Sequence, residues 1–115
     1  MRQISFAHTT DQVIAGTKDV TRRYGWMDIK PGELLQGIRK GQGLKKGEHV
    51  EKLRKIRVVS ARREKLSRLI DEPAYVADEM RREGFPGRDP ADFIAGYFQC
   101  RAYDVVTRIE FEYVE

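Results

Sequence analysis

One cysteine, two histidines, one tryptophan and four prolines are all that 115 residues contain of these types. A lone thiol excludes a disulfide framework, and Cys100 with only His8 and His49 offers no zinc-ligand spacing, so no metal is expected. Cys100 reads as a small buried residue following an aromatic helix. Long apolar runs are missing too. No stretch approaches the roughly 20 residues that cross a bilayer, and the opening MRQISFAHTT lacks the apolar h-region of a signal peptide. The expectation is a cytoplasmic protein with no membrane partner. What is present, 40% hydrophobic and 10% aromatic residues in a chain of one domain's length, suffices for a single core spanning residues 1–115 and argues against disorder.

The net charge of +4 is unevenly distributed. Residues 1–65 carry 16 Lys and Arg against 7 Asp and Glu, whereas residues 66–115 carry 6 against 11. Within the first half, the segment 39–65 holds 11 basic and 3 acidic residues, including Lys45 and Lys46. Such a run is either a solvated face or a phosphate-facing surface.

Ile4, Phe6 and His8 alternate with polar or small residues as in a strand. Thr10 then caps a short helix from Asp11 that stops at Gly16. Val20 to Tyr24 is a short β-branched, basic second strand. Lys30-Pro31-Gly32-Glu33 forms a turn into a third strand over 34–40. The stretch 53–63 predicts a long strand with Ile56, Val58 and Ser60 on one face and Arg57, Val59 and Ala61 on the other. A helix over 48–55, with Glu51 and Lys55 at i,i+4 spacing, competes for its start. Asp71 or Glu72 caps a helix with Pro73 in its first turn and an apolar stripe of Tyr75, Val76, Ala77 and Met80, ending at Gly84. Asp89-Pro90 opens another, buried through Phe93, Ile94, Tyr97 and Phe98. From Val105 the chain alternates again, with Thr107, Ile109, Phe111 and Tyr113 inward and Arg108, Glu110 and Glu112 on a charged outer face. This order predicts an α+β fold: a small mixed β-barrel of about five or six strands with two to three flanking helices.

Gly16-Thr17-Lys18-Asp19-Val20-Thr21-Arg22-Arg23 is the segment richest in chemistry. Gly16 lets the backbone turn at a helix end and a ligand approach closely. Lys18 can bind an anion or, desolvated, act as a base. Thr21 is a nucleophile only beside such a base, and Arg23 presents a fork suited to phosphate or a base edge. Lys18 and Thr21 are three apart, so they converge only if the chain turns or bulges between them.

The segment resembles the ASCH domain signature, Gly-x-Lys-x-x-(Glu or Thr)-x-Arg, with Gly16, Lys18, Thr21 and Arg23 in the four fixed places. The helix before it, the Pro-Gly-Glu turn after it and the later helices and strand agree, so the resemblance spans nearly the whole chain. It implies a PUA-like barrel. In the branch similar to N4-acetylcytidine amidohydrolases, a Lys and a Thr three residues on are joined by a Glu at a helix end. The resemblance carries that role to Glu83, which gives Lys18 as base, Thr21 as nucleophile or water-orienting group, and Glu83 as proton carrier and lysine positioner. A carboxylate at the negative end of a helix is disfavoured unless a cation such as Arg81, Arg82 or Lys18 compensates.

The resemblance therefore implies hydrolysis of the amide of a modified cytidine without metal or organic cofactor. Two alternatives stand beside it. One is a non-catalytic RNA-binding module in which Lys18, Arg22, Arg23, Lys45 and Lys46 follow phosphates and Tyr24 or Trp26 stacks a base, Trp26 serving otherwise to cover one barrel end. The other is a ribonuclease using the same cleft.

Overall fold

The computed structural model describes residues 1–40, 47, 49–99 and 101–114; Cys100 lies outside them. Alternating apolar residues build five strands, β1 (Arg2–Ser5), β2 (Val20–Arg23), β3 (Leu34–Ile38), β4 (Lys52–Lys65) and β5 (Val105–Tyr113). They form one mixed sheet in the order β1-β3-β4-β5-β2, with β1 parallel to β3 and the other pairs antiparallel. Four helical segments accompany it: α1 (Thr10–Ala15), α2 (Arg68–Asp71), α3 (Pro73–Glu83) and α4 (Pro90–Phe98). The expected α+β class holds, with five strands and, among the described residues, one more short helix than the periodicity indicated.

The sheet curls because β4 and β3 are both irregular. In β4 the register slips between Val58 and Ser60, so Val59 is an inserted residue and stands 43% exposed. One inserted residue reverses the faces of everything after it. Ala61, not Ser60, therefore packs against the core begun by Ile56 and Val58, while Ser60 bonds Glu110. In β3 the slip falls between Gln36 and Ile38. A Cβ on the intervening Gly37 would stand 2.8 Å from the Arg54 carbonyl oxygen and 3.3 Å from the Phe6 ring. Gly37→Ala is thus expected to cost about 1–3 kcal/mol, read from urea unfolding, because backbone must move to admit the methyl group.

The curled sheet stops short of closure by backbone pairing: β1 and β2 are its outer strands, bridged where the Arg23 guanidinium donates to the Ser5 carbonyl. Inside the curl, Ile4, Phe6, Val13, Leu35, Ile56, Ile109 and Phe111 form one core. A second core joins the helices to the sheet through Leu66, Leu69, Met80, Phe93, Ile94, Phe98 and Val106. Val106 and Arg108 belong to the face of β5 expected to be charged and solvated; both are buried, because the helical layer covers that face.

Capping follows the sequence in α4, where Asp89 Oδ1 accepts from the Ala91 N–H. In α1 the cap position falls to Thr9, and Thr10, in the first turn, donates instead to the Phe6 carbonyl. Glu72 is the cap residue of α3. The stretch expected to compete as a helix contributes its residues 52–55 to β4.

Candidate functional site

Two helix ends and the start of a strand meet at the site. Helix α1 ends at Gly16, whose left-handed φ of 76° lets the N–H groups of Gly16 and Thr17 cap the carbonyls of Val13 and Gln12. The chain then runs irregularly through Lys18 before β2 begins, which is the turn the spacing of Lys18 and Thr21 required. Asp19 donates its N–H to the Arg82 carbonyl, and Tyr113 donates its hydroxyl to the Lys18 carbonyl. Lys18 is thereby fixed against the C-terminus of α3.

Helix α3 ends at Gly84, φ 98°, leaving the Glu83 carbonyl among the last acceptors of the helix. Lys18 Nζ donates to that carbonyl at 2.6 Å and to Glu83 Oε1 at 3.1 Å. One ammonium therefore answers both the helix's negative end and the carboxylate placed there. Arg22 supplies the rest, its Nη1 donating to Glu83 Oε2 at 2.8 Å. Lys18 and Glu83 are each 2% exposed. Burial pulls the Lys18 ammonium below its ordinary value, the attraction of Glu83 opposing it.

Thr21 and Arg23, two apart on β2, share a face. Arg23 Nε donates to Thr21 Oγ1 at 3.1 Å, and the guanidinium lies over Phe6. Burial lowers the Arg23 guanidinium to about 10, Glu83 opposing, so it stays charged at neutral pH. Lys18, Thr21, Arg23 and Glu83 line one cavity of about 420 Å³. Its walls are aromatic: Phe85 stacks on Tyr97, Phe93 tilts against both, and Tyr24 meets Phe98 edge-on. His8 packs on Tyr97 at 5.3 Å. Composition had reserved His8 no role, and the aromatic face of α4 read as core alone; Phe93 and Phe98 serve as core and cavity wall together.

Arg22 is the largest correction. Expected to meet phosphate, it is turned inward with its side chain 0% exposed. It donates to Glu64 at 2.7 and 2.9 Å, to Glu79 at 2.5 Å, to Glu83 and to the Tyr75 hydroxyl. Arg108 holds Glu79 bidentately at 2.7 and 3.0 Å. Lys18, Arg22 and Arg108 thus face Glu64, Glu79 and Glu83 in a buried cluster of zero net charge. Burial works against the Glu79 charge, but the bonds from Arg108 and Arg22 prevail and hold its carboxyl down to about 2.

The other expected ligand residues scatter. Tyr24 stands at the cavity with its hydroxyl on Asp104 at 2.7 Å. Gly16 lies outside it, shaping the helix end, where a Cβ would come within 2.8 Å of the Arg54 guanidinium. Trp26 also lies outside it, half-buried against the sheet core and lining an adjacent cavity. Lys45 and Lys46 fall outside the described residues. Part of the basic run is neutralised locally: Arg39 pairs with Glu51, Arg57 with Glu112 and Arg62 with Glu64. Among the described residues, no group of three or more His, Cys, Asp or Glu is arranged to hold a metal ion, and no helix is long and apolar enough to cross a membrane.

No protein-family model and no curated protein matches the sequence. Among solved structures, the fold is similar to the crystal structure of hypothetical protein PH0355, with a TM-score of 0.63 and 17% identity over 99% of this chain and 100% of that one. At that identity the likeness concerns the path of the backbone: the whole chain follows a fold that a second protein also adopts.

Proposed function

We propose that the chain is an ASCH-like, PUA-like domain whose cleft receives a modified nucleoside and hydrolyses its amide, N4-acetylcytidine being the substrate that the residues suit best. The observation that carries this reading is the lining of one aromatic-walled cavity by an amine, a hydroxyl and a carboxylate, Lys18, Thr21 and Glu83. Its volume lies within the range of about 300–1,000 Å³ usual for small-molecule sites.

In the reaction, the Lys18 amine takes the Thr21 hydroxyl proton as Oγ1 adds to the acetyl carbonyl carbon. The bond from that carbon to N4 breaks, and Lys18 returns the proton to N4, releasing cytidine. Water, deprotonated by the same amine, then cleaves the acetyl ester and frees acetate and Thr21. If Thr21 orients the water instead, the same proton path serves a single displacement. Burial favours the neutral amine that this chemistry needs, and Glu83 positions it through its carbonyl and carboxylate. The Arg23 Nε–H on Thr21 Oγ1 favours the developing alkoxide.

Purified protein is expected to convert N4-acetylcytidine to cytidine, followed by chromatography, with kcat/KM rising with pH to a limb below the ordinary lysine value. Lys18→Ala, Thr21→Ala and Glu83→Ala should each reduce turnover to background. Folded wild type that leaves the substrate intact overturns the hydrolase reading. If that protein binds cytidine-containing RNA without changing it, the RNA-binding module is the correct reading; if it cuts the RNA, the ribonuclease is. The exposed Lys52, Lys55 and Lys65 along β4 favour an RNA ligand of this kind.

A further inference from the structure

The cleft runs from buried residues to exposed ones. Lys18, Thr21 and Glu83 line it with almost none of their surface in water, whereas Ala7, His8 and Gly96, which line it too, are exposed. An amide that reaches Thr21 Oγ1 therefore has the rest of its molecule directed toward the exposed residues. In an N4-acylated cytidine, the acyl nitrogen on C4 and the glycosidic bond on N1 leave the pyrimidine ring from opposite positions. Acetyl at the buried end puts ribose at the open end.

At that open end the wall has a gap. Phe93, Gly96 and Tyr97 stand at i, i+3 and i+4 of α4 and so share a face, and all three line the cleft. Phe93 and Tyr97 bring rings to it; Gly96 brings no side chain. Neither backbone nor packing demands this glycine. It lies within α4 and is not among the glycines of positive φ, and alanine is the better helix former. Outside the helix's own backbone, the nearest atom to a Cβ built at Gly96 is Nη2 of Arg88, at 3.6 Å, an ordinary contact. The Arg88 guanidinium rests on the rings of Phe85 and Tyr97, 5.3 and 5.4 Å from their centres. Gly96 is thus a slot bounded by aromatic faces and a cation, and what a side chain would obstruct there is the cleft.

We propose that Gly96 is a specificity-determining residue: its missing side chain leaves the room in which the ribose sits, so that the cleft takes an acylated nucleoside and not only the acylated base. The proposal rests on the hydrolase reading of the cleft and deepens it by naming the residue that admits the sugar. A side chain at position 96 stands at the opposite end of the cleft from the reacting atoms. It should hinder binding and leave the chemical step alone.

Steady-state kinetics on N4-acetylcytidine and on N4-acetyl-1-methylcytosine, in which a methyl group stands where the sugar is attached, test this. Gly96→Leu is expected to raise KM for the nucleoside about tenfold or more with kcat little changed, and Gly96→Ala to raise it about two- to fivefold. For the methyl compound, KM, or its Ki as a competitor, should stay within about twofold of the wild-type value in both variants. The urea midpoint of Gly96→Ala should equal or exceed that of wild type, since alanine favours the helix, which separates weaker binding from unfolding. A nucleoside KM unmoved in both variants, or a rise that is equal for the two compounds, overturns the role of Gly96 and leaves the hydrolase reading standing. Folded wild type that hydrolyses neither compound overturns the two together.

Discussion

Replacing Arg22 by methionine is expected to remove about 3–5 kcal/mol of stability, a large part of what a domain of this size possesses. The guanidinium touches Glu64, Glu79 and Glu83 with none of its side chain in water. Without it, Lys18 remains on Glu83, Arg108 on Glu79 and the part-exposed Arg62 and Arg68 on Glu64, so each buried carboxylate loses its shared inner cation, and a carboxylate stripped of a partner within the protein is far costlier than the pair was helpful. Arg22→Lys should recover part of the loss, because an ammonium restores the charge but cannot fork to three acceptors. The exposed pair of Arg57 and Glu112 supplies the contrast: Arg57→Met should cost under about 1 kcal/mol. Urea unfolding of the three variants measures all of this, and an Arg22→Met loss no larger than that of Arg57→Met would contradict the cluster's role.

Acid is the second strong perturbation. A carboxyl held at about 2 in the folded chain, against 4.5 when unfolded, binds its proton more readily in the unfolded state. Its contribution is complete above pH 4.5 and disappears as the pH falls toward 2. For Glu79 the difference corresponds to on the order of 3 kcal/mol. At Glu64 burial works against the charge, but Arg22 together with the bonds from Tyr75 and Arg62 prevails, and the shift runs in the same direction. The urea midpoint should therefore drop steeply between pH 4.5 and 2.5 at a nearly constant slope. In Glu79→Gln, weaker already at neutral pH, the acid-dependent part should shrink. A midpoint constant across that interval would show that the cluster does not couple to protons. Lys18 acts in the same direction at the other end of the scale: with its ammonium disfavoured by burial, it makes the fold gain stability as the pH rises through its lowered value toward 10.5.

The order of strands and long helices was legible because β1 to β5 and α3 and α4 carry their own periods and caps, Pro73, Gly84 and Asp89-Pro90 among them. The slip at Val59 was not. An inserted residue leaves the alternation of Val58, Val59 and Ser60 looking continuous, and only pairing with Phe111 and Glu110 shows that the faces have exchanged. Helix α2, four residues long, is too short to show a period. Lys18, Thr21 and Glu83, named through the resemblance to the ASCH signature, line one cavity, while Glu64, Glu79 and Arg108 of the buried cluster beside it were not anticipated. Charged residues alternating on a strand ordinarily face water, and Arg108 was assigned there. A signal did exist in α3: Tyr75, Glu79 and Glu83 recur every four residues directly beside the apolar positions Val76 and Met80, so both stripes face the sheet. Carboxylates on the inward side of a helix call for cations on the facing strands, which is where Arg22 and Arg108 lie.

The bridge from Arg23 to Ser5 gives the cleft a mechanical side. Of its five N–H donors, this guanidinium commits one to the outer strand β1 and one to Thr21. The side chain that faces the cavity is therefore also the tie across the open edge of the sheet, so the shape of the cavity wall and the width of the gap between β1 and β2 depend on one residue.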